Sequence, residues 1–161
     1  MNGTRQYVTL GVGEELFAAP VERVQEILEL RPIAKLPKAP ANLLGMIDLR
    51  GQGIPVVDLR RTLDMADAGD TDSTRIVVLK VCPKGGLETT LALKTDRVFE
   101  VTVLDDEALD PQPEIGARWQ VKAIAGIGRR NGAFVSVLDL DQLFATPDLV
   151  EHAPSRADRA A

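Results

Sequence analysis

The sequence predicts an all-β protein with short helices, arranged as two five-stranded β-barrel subdomains. Three observations carry that expectation. The chain repeats itself internally, its apolar residues fall in short runs separated by turn signals, and runs that are ambiguous alone read as strands once the two copies are compared. Gly45, Gly51, Asp58, Leu59 and Leu63 recur 81 positions later as Gly126, Gly132, Asp139, Leu140 and Phe144. Upstream, Arg23-Val24-Gln25-Glu26-Ile27 recurs as Arg97-Val98-Phe99-Glu100-Val101, and Phe17-Ala18 as Leu91-Ala92, at an offset of 74. The larger later offset places extra residues in the second half, within the acidic and proline-containing stretch Asp105 to Trp119.

Taken in order, the first copy offers strands at Tyr7–Val12, Leu16–Ala19, Val24–Leu30, Met46–Leu49 and Ile54–Val57. Val21, Val24, Ile27 and Leu28 alone have helical spacing. Their counterpart from Val98 to Leu104 is rich in β-branched residues, so both are read as strands. Pro20 to Arg23 forms at most a single helical turn, which proline tolerates at its start. The second copy offers Arg75–Val81, Thr89–Leu93, Val98–Leu104, Ala123–Ile127 and Phe134–Leu138. Asn131-Gly132 is the clearest hairpin signal, because both residues accept positive φ. Five short strands per half suggest a small closed barrel, which leaves no sheet edge exposed. Asp58 and Asp139 stand at helix N-cap positions, Gln142 lies three residues after the second of them, and Pro40 to Leu44 reads as another short helix. The domain expected is 6–145, with pseudo-repeats at 6–63 and 75–145, a polar linker at 64–74, and a loose tail at 146–161.

Composition narrows the function classes. The net charge of −5 opposes nucleic acid, whose binding depends on neutralising phosphates, and opposes anionic membranes. No stretch approaches the roughly 20 apolar residues that span a bilayer, and Met1 to Gln6 lacks a signal-peptide core. With one cysteine there is no intrachain disulfide, and Cys82 reads as a small buried residue of a soluble protein in a reducing compartment.

Catalytic groups do not converge in the sequence. The single histidine, His152, lies in the expected tail, away from Cys82. No metal-ligand spacing and no phosphate-cradling loop are present, and Asp105-Asp106-Glu107 lacks the alternation of a calcium loop. Asp58 and Asp139 could serve as an acid–base pair, but their common place in the repeat favours capping. The chain reads as no enzyme and as needing no cofactor.

The run from Gly45 to Arg60, GMIDLRGQGIPVVDLR, closely resembles the signature of CheW-like domains: an aliphatic strand, Leu-Arg-Gly, a turn, then Pro-aliphatic-aliphatic-Asp-Leu-Arg. Val24-Gln25-Glu26-Ile27, Leu36-Pro37-Lys38-Ala39-Pro40, Ala125-Gly126-Ile127-Gly128 and Leu138-Asp139-Leu140 resemble further landmarks in the same order. The resemblance runs from about Gln6 to Ala145. It implies two SH3-like barrels, and a cytoplasmic, non-catalytic chemotaxis adaptor that is monomeric outside signalling arrays. The implied partners are the regulatory domain of the histidine kinase CheA and the helical tips of chemoreceptors, the latter in a groove between the barrels. Arg50 is the first candidate for partner contact, followed by Glu26, Val24, Gly45 and Val98. Gly45 either admits a receptor helix or allows a bulge. Three positions depart from the family pattern. Asp48 stands where asparagine is usual, Lys35-Leu36-Pro37 replaces Arg-X-Pro, and Pro20 replaces aspartate. They leave open a non-flagellar chemosensory system, controlling pili or a second messenger. A nucleic-acid-binding SH3-like barrel is the more distant alternative, and it lacks a basic face.

Overall fold

A computed structural model describes residues 5–83, 86–112 and 123–145. The first copy forms β1 (Tyr7–Val12), β2 (Glu15–Pro20), a single 3-10 turn (Val21–Arg23), β3 (Val24–Glu29), β4 (Leu43–Leu49), β5 (Gln52–Asp58) and α1 (Leu59–Thr62). The second forms β6 (Arg75–Val81), β7 (Thr89–Thr95), β8 (Arg97–Thr102), β9 (Ile124–Arg130), β10 (Ala133–Leu138) and α2 (Leu140–Leu143). Among the described residues, ten short strands, two α-helical turns and the 3-10 turn match the all-β reading. The helix expected at Pro40 to Leu44 is absent. The Leu43 amide donates to the Pro40 carbonyl in a turn, and Leu43 already opens β4.

The two five-stranded sheets do not follow the two halves. Their orders are β8-β1-β2-β10-β9 and β3-β6-β7-β5-β4. Each takes one hairpin from its own copy and an edge strand plus a second hairpin from the other. The exchange is reciprocal. β10 runs parallel to β2 with Val137 beside Ala18, and β5 runs parallel to β7 with Val56 beside Ala92. A pseudo-repeat is therefore a unit of sequence, and each sheet is a unit of two repeats.

The burial pattern explains why the copies interlock. β1 is buried along its whole length, as is β6 except at its first residue and Lys80, the arrangement of strands covered on both faces. Val8, Leu10 and Val12 of β1 share one core with Val77, Leu79 and Val81 of β6, together with Phe144, Leu140 and Leu59. The opposite faces point into the separate sheets. Ile76 and Val78 pack with Leu28, Ile47 and Ile54 in one, and Tyr7 packs with Leu104, Val135 and Val137 in the other.

The sheets are curled by segments that cross from one edge to the other. Ala34, beyond β3, bridges Met46 of β4, and Asp110, beyond β8, bridges Ile127 of β9. Both crossings pass over a duplicated glycine. A β-carbon on Gly45 would overlap the Ala34 carbonyl, and one on Gly126 would lie 3.0 Å from the Asp110 carbonyl oxygen. Gly45 also sits at φ +148° beside a register shift in β4. Among the described residues, no helix is long and apolar enough to cross a membrane.

These contacts set an order of damage. Gly45→Ala is expected to destabilise the fold by about 2 kcal/mol or more, through both positive φ and overlap with backbone. Gly51→Ala, at φ +84° with open space around it, is expected to cost about 1 kcal/mol. Urea denaturation midpoints check the ranking, and equal losses at the two sites would contradict it.

Candidate partner-binding site

The signature residues converge at the tip of the β4–β5 hairpin. Arg50 and Gly51 form its turn, at φ +52° and +84°, and the Gly51 amide donates to Asp48 Oδ1 at 2.8 Å. The aspartate that departs from the family's asparagine thus holds the turn. Asn131 and Gly132 form the equivalent β9–β10 turn at φ +54° and +84°, and there Asp105 accepts from both amides at 2.9 Å. Those two bonds hold the Asp105 carboxyl below its usual pKa. The acidic loop is exposed, as its sequence suggests, and Asp105 braces a hairpin from within it.

The Arg50 guanidinium reaches across to β3 and grips Glu26 with two parallel bonds, Nη1 to Oε2 at 3.1 Å and Nη2 to Oε1 at 2.8 Å. The structure therefore brings together the two leading candidates. Their side chains remain 67 % and 29 % exposed, so the pair lies at the surface, where a partner can reach it. Arg50 holds the Glu26 carboxyl below its ordinary pKa of 4.5. The second copy repeats the motif loosely. Arg130 Nε lies 3.3 Å from Glu100 Oε2, and Glu100 is the counterpart of Glu26.

The other candidates lie apart from this tip. Val24 and Val98 occupy equivalent positions on β3 and β8, both half-buried and packed on the shared inter-sheet core. Gly45 is buried and already occupied by the chain's own Ala34. The approach that requires a glycine there is made by this protein's backbone, so no receptor helix is needed to explain the residue.

Asp58 and Asp139 cap α1 and α2, accepting the Arg60 amide at 3.1 Å and the Gln142 amide at 3.2 Å. Burial raises the Asp58 pKa against the pull of that amide and of Lys94 and Arg61. Each carboxylate is committed to its own helical turn, which removes the acid–base reading. Cys82 is half-buried rather than buried. His152 and the expected tail lie outside the described residues, as do residues 113–119 of the stretch expected to hold the extra residues.

One surface escaped the sequence reading. The outer face of β8 carries Phe99 and Val101, 53 % and 54 % exposed, and Val103 continues it just beyond the strand. Phe134 on β10 is 66 % exposed. Arg97 stacks over the Phe99 ring at 5.7 Å, and Arg129 over the Phe134 ring at 4.9 Å. The signal was present as strict alternation of Arg97, Phe99, Val101 and Val103. Burial on the opposite face, at Thr102 and Leu104, is what assigns these four to solvent.

The ladders do not close as the sequence suggested, since each sheet keeps two edge strands joined only by an isolated bridge, and the molecule is an all-β protein of two curled five-stranded sheets with an ion pair facing solvent. A CheW-like domain family model matches residues 6–148. The chain is 29 % identical over 147 residues to the chemotaxis protein CheW of Rhizobium meliloti, covering 91 % of this chain and 92 % of that one. It is 28 % identical to the chemotaxis protein CheW of Treponema pallidum, covering 89 % and 84 %. The crystal structure of the scaffolding protein TtCheW from Thermoanaerobacter tengcongensis superposes with a TM-score of 0.79 at 25 % identity, covering 91 % of this chain and 96 % of that one. The chain belongs to the CheW-like domain family, whose members are non-catalytic chemotaxis scaffolds.

The Glu26–Arg50 pair is present above the ordinary glutamate pKa and is lost as pH falls through the lower folded value. Carboxyl NMR titration should show Glu26 titrating below 4.5, and Arg50→Ala should return it towards that value. A Glu26 titration unmoved by the substitution would show that the pair does not form in solution.

Proposed function

We propose that this protein is a chemotaxis adaptor that couples chemoreceptor tips to the regulatory domain of the histidine kinase CheA in the cytoplasm, with Arg50 and Glu26 at a partner contact. The observation that carries this reading is the backbone at Arg50. An arginine at φ +52° sits where the duplicated turn has Asn131, a residue type that accepts this region more readily. The strain is of order 1 kcal/mol, and the turn itself gains nothing from arginine that asparagine would not supply. It places a planar, two-pronged cation at an exposed hairpin tip, already ordered by Glu26. Val24 and Val98 lie on the edge strands β3 and β8, on the side of the shared core, where a helical partner could lodge.

The exposed strip on β8 supports surface contact from a second direction. An adaptor must hold two partners at once, and an apolar strip with an arginine stacked on its aromatic ring is suited to protein docking.

Calorimetric titration against the cognate kinase's regulatory domain and a soluble receptor-tip fragment tests the reading. The wild type is expected to bind both at about micromolar affinity or tighter. Arg50→Ala should weaken at least one by about ten-fold, roughly the 1.4 kcal/mol expected of a moderate hot spot. Circular dichroism should show the fold retained. A wild type that binds neither would overturn the adaptor reading, and full binding by Arg50→Ala would move the contact elsewhere.

A further inference from the structure

The two sheets are fastened to each other by a pair of ion-pair clamps that are equivalent in place and opposite in charge. At one end Arg23, at the entry to β3, donates from Nη1 and Nη2 to Asp141 Oδ1 and Oδ2, both at 2.9 Å. Asp141 Oδ1 also accepts the Cys82 amide at 2.8 Å. Asp141 belongs to α2, which follows β10 of the first sheet, whereas Arg23 and Cys82 flank β3 and β6 of the second. At the other end Arg60 Nε donates to Asp96 Oδ1 at 3.0 Å and Arg60 Nη2 to Asp96 Oδ2, while Asp96 Oδ2 accepts the Gly13 amide at 2.8 Å. Here Arg60 belongs to α1, which follows β5 of the second sheet, and Asp96 stands at the entry to β8 of the first.

The duplication makes the correspondence close. Asp141 is the counterpart of Arg60 at the offset of 81, and Asp96 is the counterpart of Glu22, neighbour of Arg23, at the offset of 74. The helical turn is anionic at one end and cationic at the other, and the strand entry carries the opposite sign each time. Both clamps are bidentate, half-buried and tied to a backbone amide, which lifts them above ordinary surface pairs. For Asp96 the largest effect is the bond from Arg60, which lowers its pKa. Burial works against the Asp141 carboxylate, yet the Cys82 amide and Arg23 outweigh it and leave it lowered as well.

Position gives the clamps a consequence beyond stability. β3 and β8 are edge strands, each paired on one side only, to β6 and β1. Each pairing also carries a register shift near Val24–Glu26 and opposite Val98–Val101. Edge strands interrupted in this way are the natural places for local opening. We propose that Arg23–Asp141 and Arg60–Asp96 are reciprocal positioning clamps, by which the helical turn closing one sheet fixes the entry of the partner-facing edge strand of the other. Val24 directly follows Arg23 and Val98 lies two residues after Asp96, so each clamp sets where its valine is presented. The part concerning partners rests on the adaptor reading; the part concerning the strands does not.

Hydrogen exchange of the intact protein tests the strand part first. Asp141→Asn is expected to accelerate exchange at the Val24–Glu26 amides several-fold while leaving β4 and β9 unchanged. Asp96→Asn should do the same at Val98–Glu100. The exchanged pair Arg23→Asp/Asp141→Arg should recover part of the slow exchange at β3, short of the wild type because arginine cannot accept the Cys82 amide, and a merely disruptive substitution would recover none. Uniform acceleration across all strands, or none at β3 and β8, overturns the proposal. The partner part is read by titrating the same variants against the receptor-tip fragment, where a several-fold loss partly recovered in the exchanged pair is expected. Unchanged affinity alongside loosened strands would overturn that part alone, and a wild type that binds no fragment overturns the adaptor reading with it.

Discussion

Everything in this molecule depends on β1 and β6, two copies of one strand, sharing a single apolar layer. Val8, Leu10 and Val12 have no solvent to face because Val77, Leu79 and Val81 lie in the same cluster, and the other faces of these strands line the two separate interiors. A strand buried on both sides cannot be completed by its own repeat alone. The hairpin β1–β2 therefore finds β8, β9 and β10, and the hairpin β6–β7 finds β3, β4 and β5. Strand exchange couples the halves so that neither holds a finished core. It also explains why the clamps occur in pairs, since any contact joining an end of one copy to the other copy is generated twice.

From that arrangement the two halves have diverged where a partner could tell them apart. Both hairpin tips carry the same turn and both face a glutamate on an edge strand, but one tip has Arg50 and the other Asn131. The first has a tight two-pronged pair, the second a single longer contact from Arg130. The outer faces differ as well. β3 offers Gln25, Ile27 and Glu29, and β8 offers Phe99 and Val101 beside Arg97, with Val103 just beyond the strand. A symmetric ancestor would bind the same surface twice. This chain presents two different surfaces.

Much of this was legible in the sequence because duplication supplied a second reading of each segment. The strand at β3, helical in spacing by itself, was assigned through Val98 to Leu104. The caps at Asp58 and Asp139 and the Asn131-Gly132 turn followed from chemistry local to a few residues. What stayed hidden was long-range. Alternation gives a strand its two faces but not its neighbours, so the exchange of strands between halves had no signal. Arg23 and Asp141 are 118 residues apart, and no spacing rule joins them. Gly45 was read as admitting a receptor helix or allowing a bulge; a register shift does lie beside it, while the approach of Ala34 of the same molecule was not readable. Pro40 to Leu44 was misjudged because its leucines serve the start of β4, where their burial comes from the opposite strand rather than from a helical face.

The shared core is tested most directly by cutting the chain in its polar linker, between Gly69 and Asp70, and producing the halves separately. Circular dichroism should find each half without stable β structure alone, and mixing should recover the native spectrum in a one-to-one complex, because every sheet needs strands from both. A half that folds cooperatively by itself would contradict the account, since it would mean that each pseudo-repeat completes its own barrel.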